Sequence, residues 1–311
     1  MTLTEHPVRL RIDSRISISQ PADFILDAGH PVDPSRMFDP DVSPYCFDFD
    51  DRKLFCVATP AISGATFFYQ AQRQHARSVI KVPFDALPEA TASPTLMYSI
   101  GRCGSTLLNK AFEAAGVHAV SEPDFYTQAA YRQPADPWLR EVLGRAAQLL
   151  PYSVVKLRAD CCYAPLLIAG AFHAPRVMFV LRDPVDWAAS LRRLSQNTVD
   201  PDATAAILRA LLAALDPLTR HYAVRICYYE DFADLQEGYV NDLLAWMGSG
   251  ARVSQAQLAE VAGKDAQEGT TYARDAVKNV PEDPAFREAF GLAWSKLRPV
   301  ELIDRLQLRL I

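Results

Sequence analysis

The chain has 311 residues, of which 50% are hydrophobic and 22% charged, and its formal net charge is -5. This composition can bury a sizeable core and indicates an ordinary globular protein. The acidic balance argues against nucleic acid as the main partner, because binding along a phosphate backbone needs a dense excess of lysine and arginine. A few arginines in one cleft are still enough to bind a small anion.

Targeting and redox signals point to an intracellular protein. The first twenty residues contain no apolar core of signal-peptide length, and the sequence contains no apolar run of about 18 residues. We therefore expect a cytoplasmic protein without a membrane span. The six cysteines lack the spacing of a zinc site or a disulfide framework, so we expect reduced thiols.

The N-terminal part of the sequence is rich in β-type patterns. Three stretches carry this signal, namely DRKLFCVAT, TFFYQAQRQ and SVIKVPF. The segment DALPEATASP, which ends at Pro94, has the small residues and prolines of a linker. We therefore divide the chain into a small β-rich N-terminal segment of open role, residues 1–93, and a second domain, residues 94–311.

From Thr95 onward, short apolar runs alternate with helical patterns. TLMYSI is a predicted strand, GRCGS a turn, and TLLNKAFEAAG a helix that ends at Gly116. The apolar runs SVVKL, RVMFVL and VRICYY follow, with a predicted helix over 202–215 and further helices beyond Glu230. This alternation predicts an α/β fold, a three-layer P-loop-type parallel sheet flanked by helices.

The turn GRCGST, residues 101–106, lies where such a sheet binds ligands, between a strand end and a helix N-terminus. Gly104 permits the turn, and Ser105 and Thr106 add hydroxyl donors to the amides of the helix start. Arg102 is the only cation in this loop, whereas the common loop GxxxxGK[ST] places a lysine on the terminal phosphates and Ser/Thr on magnesium. A nucleoside triphosphate with its metal is therefore a poorer fit than a less charged anhydride.

A second anion anchor is predicted after the strand RVMFVL. Arg182 follows this strand, and Asp183 and Pro184 have the pattern of a helix N-cap and first helical residue. Ser190 lies about 9 Å further along that helix, at about 1.5 Å per residue. We expect Arg182 and Ser190 to bind one anion.

These motifs together resemble those of the P-loop sulfotransferases. GRCGSTLL, SEPD about twenty residues later, RVMFVLRDPVDWAASL and YYEDF carry the resemblance, which spans residues 95–235. The family transfers a sulfuryl group from 3'-phosphoadenosine 5'-phosphosulfate (PAPS) to an alcohol, phenol or amine, and the chain looks most similar to its tyrosylprotein and carbohydrate branch. Because a sulfuryl group carries less negative charge than a phosphoryl group, amides, hydroxyls and one arginine can stabilise its transfer without a metal.

The resemblance implies a site for the donor PAPS. The 3'-phosphate would be bound at the second anion anchor, the nucleoside by a tyrosine, and a polar loop near residues 263–280 would close over the nucleotide. The implied donor-binding residues are Arg102, Cys103, Gly104, Ser105, Thr106, Arg182, Ser190, Tyr229, and Arg274 or Lys278.

The resemblance also implies catalytic residues. Attack on sulfur needs a group that accepts the acceptor's proton, and a glutamate is the base at the position of Glu122 in the tyrosylprotein branch. His118 is the alternative base. Lys156, at the end of SVVKL, would neutralise the transferring group, with Arg158 competing for this role. Because the loop has no lysine, Arg102 is our first choice for the general acid toward the leaving group.

The leading hypothesis is a cytoplasmic PAPS-dependent sulfotransferase with in-line, metal-independent transfer and release of 3',5'-ADP. Its acceptor would be a hydroxyl or amine of a small molecule, a peptide or a sugar, and no nucleic acid partner is expected. One alternative is a P-loop kinase for a small alcohol, which would need magnesium. Another is a non-catalytic nucleotide-binding protein, which would bind 3',5'-ADP without turnover. The acceptor and the oligomeric state do not follow from the sequence.

Overall fold

The structure is a computed structural model that describes residues 2–12, 18–132, 137–150, 152–195, 198–268, 273 and 281–310. The chain forms two compact units. The first consists of Met1–Pro94 and Val120–Pro175, and the second of Thr95–Ala119 and Arg176–Ile311. The chain first leaves the first unit at Pro94, where the sequence analysis places its domain boundary. Its return for residues 120–175 has no counterpart in that division.

An antiparallel sheet forms the N-terminal part of the first unit. Its strands are β1 (Leu3–Arg11), β2 (Phe24–Leu26), β3 (His30–Val32), β4 (Val42–Asp48), β5 (Lys53–Ala58) and β6 (Ser78–Pro83). The hydrogen-bonded order is β2-β1-β6-β5-β4, and β3 pairs with β1. The core cluster on this sheet consists of Phe24, Tyr45, Cys46, Phe55, Val57, Ala76 and Val79. The β-rich N-terminal segment is thereby confirmed.

One of the three stretches expected to be β-type is a helix. TFFYQAQRQ covers most of α1 (Phe68–His75), so the strand prediction there was wrong. The aromatic residues favour a strand, but the buried residues of α1 are Phe68, Tyr69 and Gln72. Gln72 is three residues after Tyr69 and four after Phe68, which places it on the same helix face as both, whereas a strand buries alternate residues.

Over its described residues, the first unit also contains two short strands and three further helices. The strands β8 (Ala119–Ser121) and β9 (Val154–Lys156) are neighbours. The helices are α3 (Phe125–Tyr131), α4 (Pro137–Ala147) and α5 (Pro165–Ala169), with α2 belonging to the second unit. The charged residues of this unit that were predicted from the sequence lie in the chain after β8, at the end of β9 and in the chain after β9.

A parallel sheet lies in the second unit. Its strands β7 (Thr95–Ser99) and β11 (Val224–Tyr228) pair with opposite edges of β10 (Arg176–Leu181). All of β7 is buried, and β10 is buried from its second residue onward. Burial on both faces is the reason that TLMYSI and RVMFVL are nearly continuous apolar runs.

Helices flank this sheet in two groups. One group contains α2 (Ser105–Ala114), α10 (Glu237–Trp246) and α11 (Gln255–Ala262), and the other α6 (Pro184–Leu194), α7 (Pro201–Leu212) and α12 (Pro284–Leu297). The remaining helices are α8 (Leu215–His221), α9 (Tyr229–Phe232) and α13 (Val300–Leu306). The protein is therefore an α/β protein with a helix-flanked parallel sheet and an antiparallel N-terminal sheet, as predicted. Among the described residues, no helix is both long and apolar enough to cross a membrane.

Candidate functional site

The loop between β7 and α2 has a strained backbone. Gly101, Arg102 and Gly104 have φ angles of 71°, 50° and 78°. Left-handed geometry is ordinary for glycine, but at a residue with a side chain it costs about 1–2 kcal/mol. Non-glycine residues keep such geometry where the surrounding structure imposes it, and these positions cluster at ligand-binding sites.

Gly104 lies directly against the ring of Tyr229. A Cβ atom on Gly104 would be 2.4 Å from Cδ2 and 2.8 Å from Cε2 of this ring. Tyr229 is the first residue of α9, immediately after β11. The missing side chain of Gly104 therefore lets the tyrosine, which was expected to contact a nucleoside, pack onto the loop.

The N-terminus of α2 follows Gly104. The Leu108 amide donates to the Gly104 carbonyl at 3.1 Å. In an α-helix the amides of the first turn have no acceptor within the helix. Ser105 and Thr106 are buried, and the Ser105 hydroxyl donates to Ser99 Oγ at 3.4 Å. Backbone amides with hydroxyls beside them form the kind of end at which helices bind anions.

The Arg102 side chain crosses to α6 and to the segment after α11. Its Nε donates to Ser190 Oγ at 3.2 Å, and its Nη1 donates to Gln267 Oε1 at 3.0 Å. The structure therefore brings together Arg102 and Ser190, which the sequence analysis selected for different parts of one site. Gln267 was not among the predicted site residues, although it lies within the polar loop expected to close over the nucleotide.

Arg182 follows β10 and has an unsatisfied nitrogen. Its Nη1 donates to the Arg102 carbonyl at 3.3 Å, and its guanidinium carbon lies 4.6 Å from the centroid of the Tyr229 ring. Its Nε is buried and has no hydrogen-bond partner among the described residues. A buried charged donor without an acceptor is costly, so this nitrogen fits an incoming anion. The Ser190 hydroxyl that was expected beside Arg182 is hydrogen-bonded to Arg102.

Trp187 is a residue of this site that sequence reasoning missed. Its indole nitrogen donates to the Ile100 carbonyl at 3.1 Å and to the Gly101 carbonyl at 3.0 Å, and its side chain is buried. It therefore attaches α6 to the loop. A buried tryptophan normally finds an acceptor for its ring N–H, and its place three residues beyond the Asp183–Pro184 pair was the available signal.

The predicted cap of α6 is confirmed. The Asp183 side chain accepts a hydrogen bond from the Asp186 amide at 2.9 Å, and Pro184 is the first helical residue. The Asp183 amide in turn donates to Glu230 Oε1 at 2.9 Å. Glu230 thus stabilises the start of α6. This cap fixes where α6 begins, and with it the positions of Trp187 and Ser190.

Glu122 and Lys156 form an ion pair in the first unit. The Lys156 ammonium donates to Glu122 Oε1, and the Glu122 amide donates to the Lys156 carbonyl at 2.7 Å. The lysine side chain is 2% exposed and that of the glutamate 17%. Glu122 has a φ of 60°, so it is also strained. Lys156 is thus a buried ammonium with a partner and is not a surface lysine.

The remaining predicted residues differ in accessibility. Cys103 is fully buried, so its thiol does not line a surface. His118 is exposed. Arg274 and Lys278 lie outside the described residues. The described residues of the second unit therefore supply two arginines, Arg102 and Arg182, to the predicted donor site.

Comparisons with sequences do not identify a family for this chain, whereas comparisons with solved structures find distantly similar proteins. No protein-family model and no curated protein matches the chain. A mouse sulfotransferase complexed with PAP is 13% identical with a TM-score of 0.45, over 70% of this chain and 90% of the mouse chain. A sulfotransferase from Alicyclobacillus acidocaldarius is 15% identical with a TM-score of 0.44, over 71% and 98% of the two chains. One from Mycobacterium avium is 14% identical with a TM-score of 0.46, over 72% and 79%.

Proposed function

We propose that this protein is a PAPS-dependent sulfotransferase of the P-loop type. The proposal rests on one observation above all, the arrangement of Arg182. Its guanidinium lies over the Tyr229 ring beside Gly104, and its buried Nε has no acceptor among the described residues. An arginine placed in this way suits a nucleotide phosphate, with the neighbouring ring available to the nucleoside.

The second unit offers groups that fit the parts of the donor. The N-terminus of α2, with Ser105 and Thr106, suits the phosphosulfate end. Arg182 suits the 3'-phosphate and Tyr229 the nucleoside. Bound there, PAPS supplies the sulfuryl group that is transferred, with 3',5'-ADP as the product. Ser190 Oγ accepts from Arg102, so its O–H can still donate a hydrogen bond to the 3'-phosphate.

Residues of the chain would accept the proton of the acceptor and stabilise the charge of the transferring group. Arg102 is the cation of the loop and our choice for the general acid toward the leaving group. Glu122 is our choice for the base, because an ionised carboxylate can accept the proton of an acceptor hydroxyl or amine. The partner of Glu122, Lys156, would balance the negative charge of the transferring group. The donor-binding roles of Cys103, Arg274 and Lys278 remain predictions.

The acceptor class and the cellular location belong to the same proposal. We propose a small-molecule, peptide or sugar acceptor, a cytoplasmic location and affinity with the tyrosylprotein and carbohydrate branch. The branch rests on the motifs GRCGSTLL and SEPD, and the acceptor class follows from that branch. The cytoplasmic location stays a prediction from the sequence. Specificity in such folds depends on variable segments, so the acceptor has to be identified by screening.

Calorimetric titration tests the donor site. We expect 3',5'-ADP to bind at micromolar concentration and ATP with magnesium to bind far more weakly. Arg182→Ala should reduce 3',5'-ADP affinity at least about tenfold, since a charge-assisted hydrogen bond contributes about 1.5–3 kcal/mol. The matched control is Arg309→Ala, since the Arg309 guanidinium also stacks on a tyrosine, 3.8 Å from the Tyr228 centroid, but pairs with Asp231.

The titration also separates the alternatives. Preference for ATP with magnesium would replace the proposal with a kinase. Tight binding of 3',5'-ADP without sulfuryl transfer to any acceptor would favour a non-catalytic protein. If transfer occurs, Glu122→Gln should lower kcat about 10²–10⁴-fold with little change in 3',5'-ADP affinity, because a general base acts in the transition state.

A further inference from the structure

We infer that Asp124 and Arg158 are positioning residues for Glu122. Because they pair with each other, Arg158 does not compete for the Glu122 carboxylate, and Lys156 remains its partner. This inference rests on the proposed function, since it concerns the proposed base. It gives a role to the ion pair between Asp124 and Arg158, which has no part in the proposed donor site or in the proposed proton transfer. All of the residues involved lie in the first unit.

Two ion pairs lie side by side in matching register. Glu122 pairs with Lys156, and two residues further along both segments Asp124 pairs with Arg158, with Nη1 to Oδ1 at 2.8 Å. The carboxylates come from the chain after β8, and the cations from the end of β9 and the chain after it. Because both steps are two residues, the second pair is the neighbour of the first.

Each cation of these pairs is covered by an aromatic ring in the same register. The Lys156 ammonium lies 5.3 Å from the Phe67 centroid, and the Arg158 guanidinium carbon lies 4.9 Å from the Tyr69 centroid. An aromatic face attracts a cation that has lost its water. The two rings, two cations and two carboxylates therefore form a matched array with no net charge.

Asp124 is the most buried member of the array, with its side chain 0% exposed. Its Oδ1 accepts from Arg158, and its Oδ2 accepts from the Ser19 amide. These contacts attach the segment around Ser19 to the chain that carries Glu122. The N-terminal segment, whose role the sequence left open, thereby supports the position of the proposed base.

Arg158 faces several acidic groups. Burial lowers its pKa, but the charges of Asp124, Glu122 and Asp160 act in the other direction and leave the pKa above its ordinary value. Asp160 Oδ2 lies 3.6 Å from Arg158 Nε. Asp124 is the nearest carboxylate, so it neutralises most of a positive charge that would otherwise act on Glu122.

Other titratable groups are also close to the array. Arg73 interacts electrostatically with Asp124 and with Asp23, and the Cys46 thiol lies near the same two carboxylates. Burial raises the pKa of Cys46, so it stays a neutral thiol. These neighbours are present in all variants. In Asp124→Asn, Arg73 also loses an anionic neighbour, so its charge acts in the same direction as that of Arg158.

The experiment measures by NMR how the Glu122 carboxyl group titrates in the wild type and in the variants. Protein labelled with carboxyl-¹³C glutamate is titrated by NMR, and the Glu122 signal is assigned by its loss in Glu122→Gln. In Asp124→Asn, the uncompensated Arg158 charge should move the Glu122 titration to lower pH by about one unit. In Arg158→Gln, loss of a nearby cation beside an anionic Asp124 should move it to higher pH by about one unit. The double variant should return close to the wild type.

Opposite signs distinguish charge positioning from a merely structural role. Shifts of the same sign, or no shift in either variant, would overturn the inference. If Asp124→Asn does not fold, Arg158→Gln decides by itself, since an upward shift supports the inference and any other result refutes it. Asp242→Asn, from an exposed pair with Arg225 at 3.3 Å, is the control and should leave the Glu122 titration unchanged.

The same variants separate this inference from the proposed function. The NMR titration needs neither donor nor acceptor, so it reads out the charge arrangement even if no sulfuryl transfer is found. If transfer is found, the acid limb of the kcat profile should move in the same direction as the Glu122 signal in each variant. Transfer in the wild type with unshifted Glu122 signals would refute only the positioning role.

Discussion

At the scale of single residues, two of the seven described non-glycine residues with a positive φ angle are residues that we propose for the chemistry. Arg102 and Glu122, chosen from the sequence as acid and base, have φ angles of 50° and 60°. Each such residue costs of order 1–3 kcal/mol and persists only when the surrounding contacts impose it. The contacts of Arg102 with Ser190 and of Glu122 with Lys156 can impose it.

Gly104→Ala tests the packing of the loop against Tyr229. We expect it to lower the free energy of unfolding by about 2–4 kcal/mol, through left-handed strain and a clash with ring atoms that cannot move far. Gly116→Ala is the matched control, because its φ is 77° and its new Cβ would meet nothing within 4 Å. Urea unfolding of both variants measures the difference. If both variants lowered the free energy of unfolding equally, the close contact with Tyr229 would contribute nothing to the effect of Gly104→Ala.

At the scale of elements, α6 is the helix that holds the loop of the proposed donor site. Its N-cap, Asp183, fixes where it starts, and Trp187 and Ser190 lie three residues apart on one face. That face holds the loop in two ways, through its Ile100 and Gly101 carbonyls and through the Arg102 side chain. We therefore expect substitutions on this face of α6 to change the affinity for the nucleotide.

Trp187→Phe tests this role. Removing the indole N–H leaves the buried Ile100 carbonyl and the partly buried Gly101 carbonyl without this donor, which should weaken 3',5'-ADP binding by about 1–3 kcal/mol. Trp294→Phe in α12 is the matched control, since Trp294 is equally buried but its Nε1 has no hydrogen-bond partner among the described residues. Calorimetry should show the loss for the first variant only. A similar loss in both would assign the effect to packing.

At the scale of the whole molecule, burial of thiols links stability to pH. All six cysteines are described and buried. Burial raises the pKa of Cys227 from 9.0 to about 11, and it also raises the pKa values of Cys46, Cys56 and Cys161. The unfolded chain therefore loses these protons first as the pH rises, and the folded state becomes less favourable.

Stability should fall between pH 9, where unfolded thiols ionise, and pH 11, where folded Cys227 begins to do so. Each thiol that stays protonated only in the folded state contributes a slope of about 1.4 kcal/mol per pH unit. Urea unfolding under reducing conditions at several pH values measures this slope. Cys56→Ala should make the slope shallower whatever its effect on stability near neutral pH. An unchanged slope would show that Cys56 ionises equally in both states.

Much of the fold followed from the sequence because the patterns that specify it are local. Apolar runs such as RVMFVL predicted parallel strands, and Asp183 with Pro184 predicted the start of α6. The exception was residues 66–74, where aromatic residues suggested a strand but the buried positions follow a helix. Whether these residues form a strand or a helix depends on which of their side chains face the core, and residues elsewhere in the chain decide this.

The sequence by itself determined the α/β class and the glycine loop between β7 and α2, because both depend on neighbouring positions. It also supplied most of the residues that we propose for the donor site. Only the tertiary structure decided their partners, since Arg102 and Ser190 are 88 residues apart and Trp187 and Gly101 are 86 apart. Contacts over such separations depend on strand order, strand register and left-handed backbone angles. These arise from packing of the whole unit, so no local pattern encodes them.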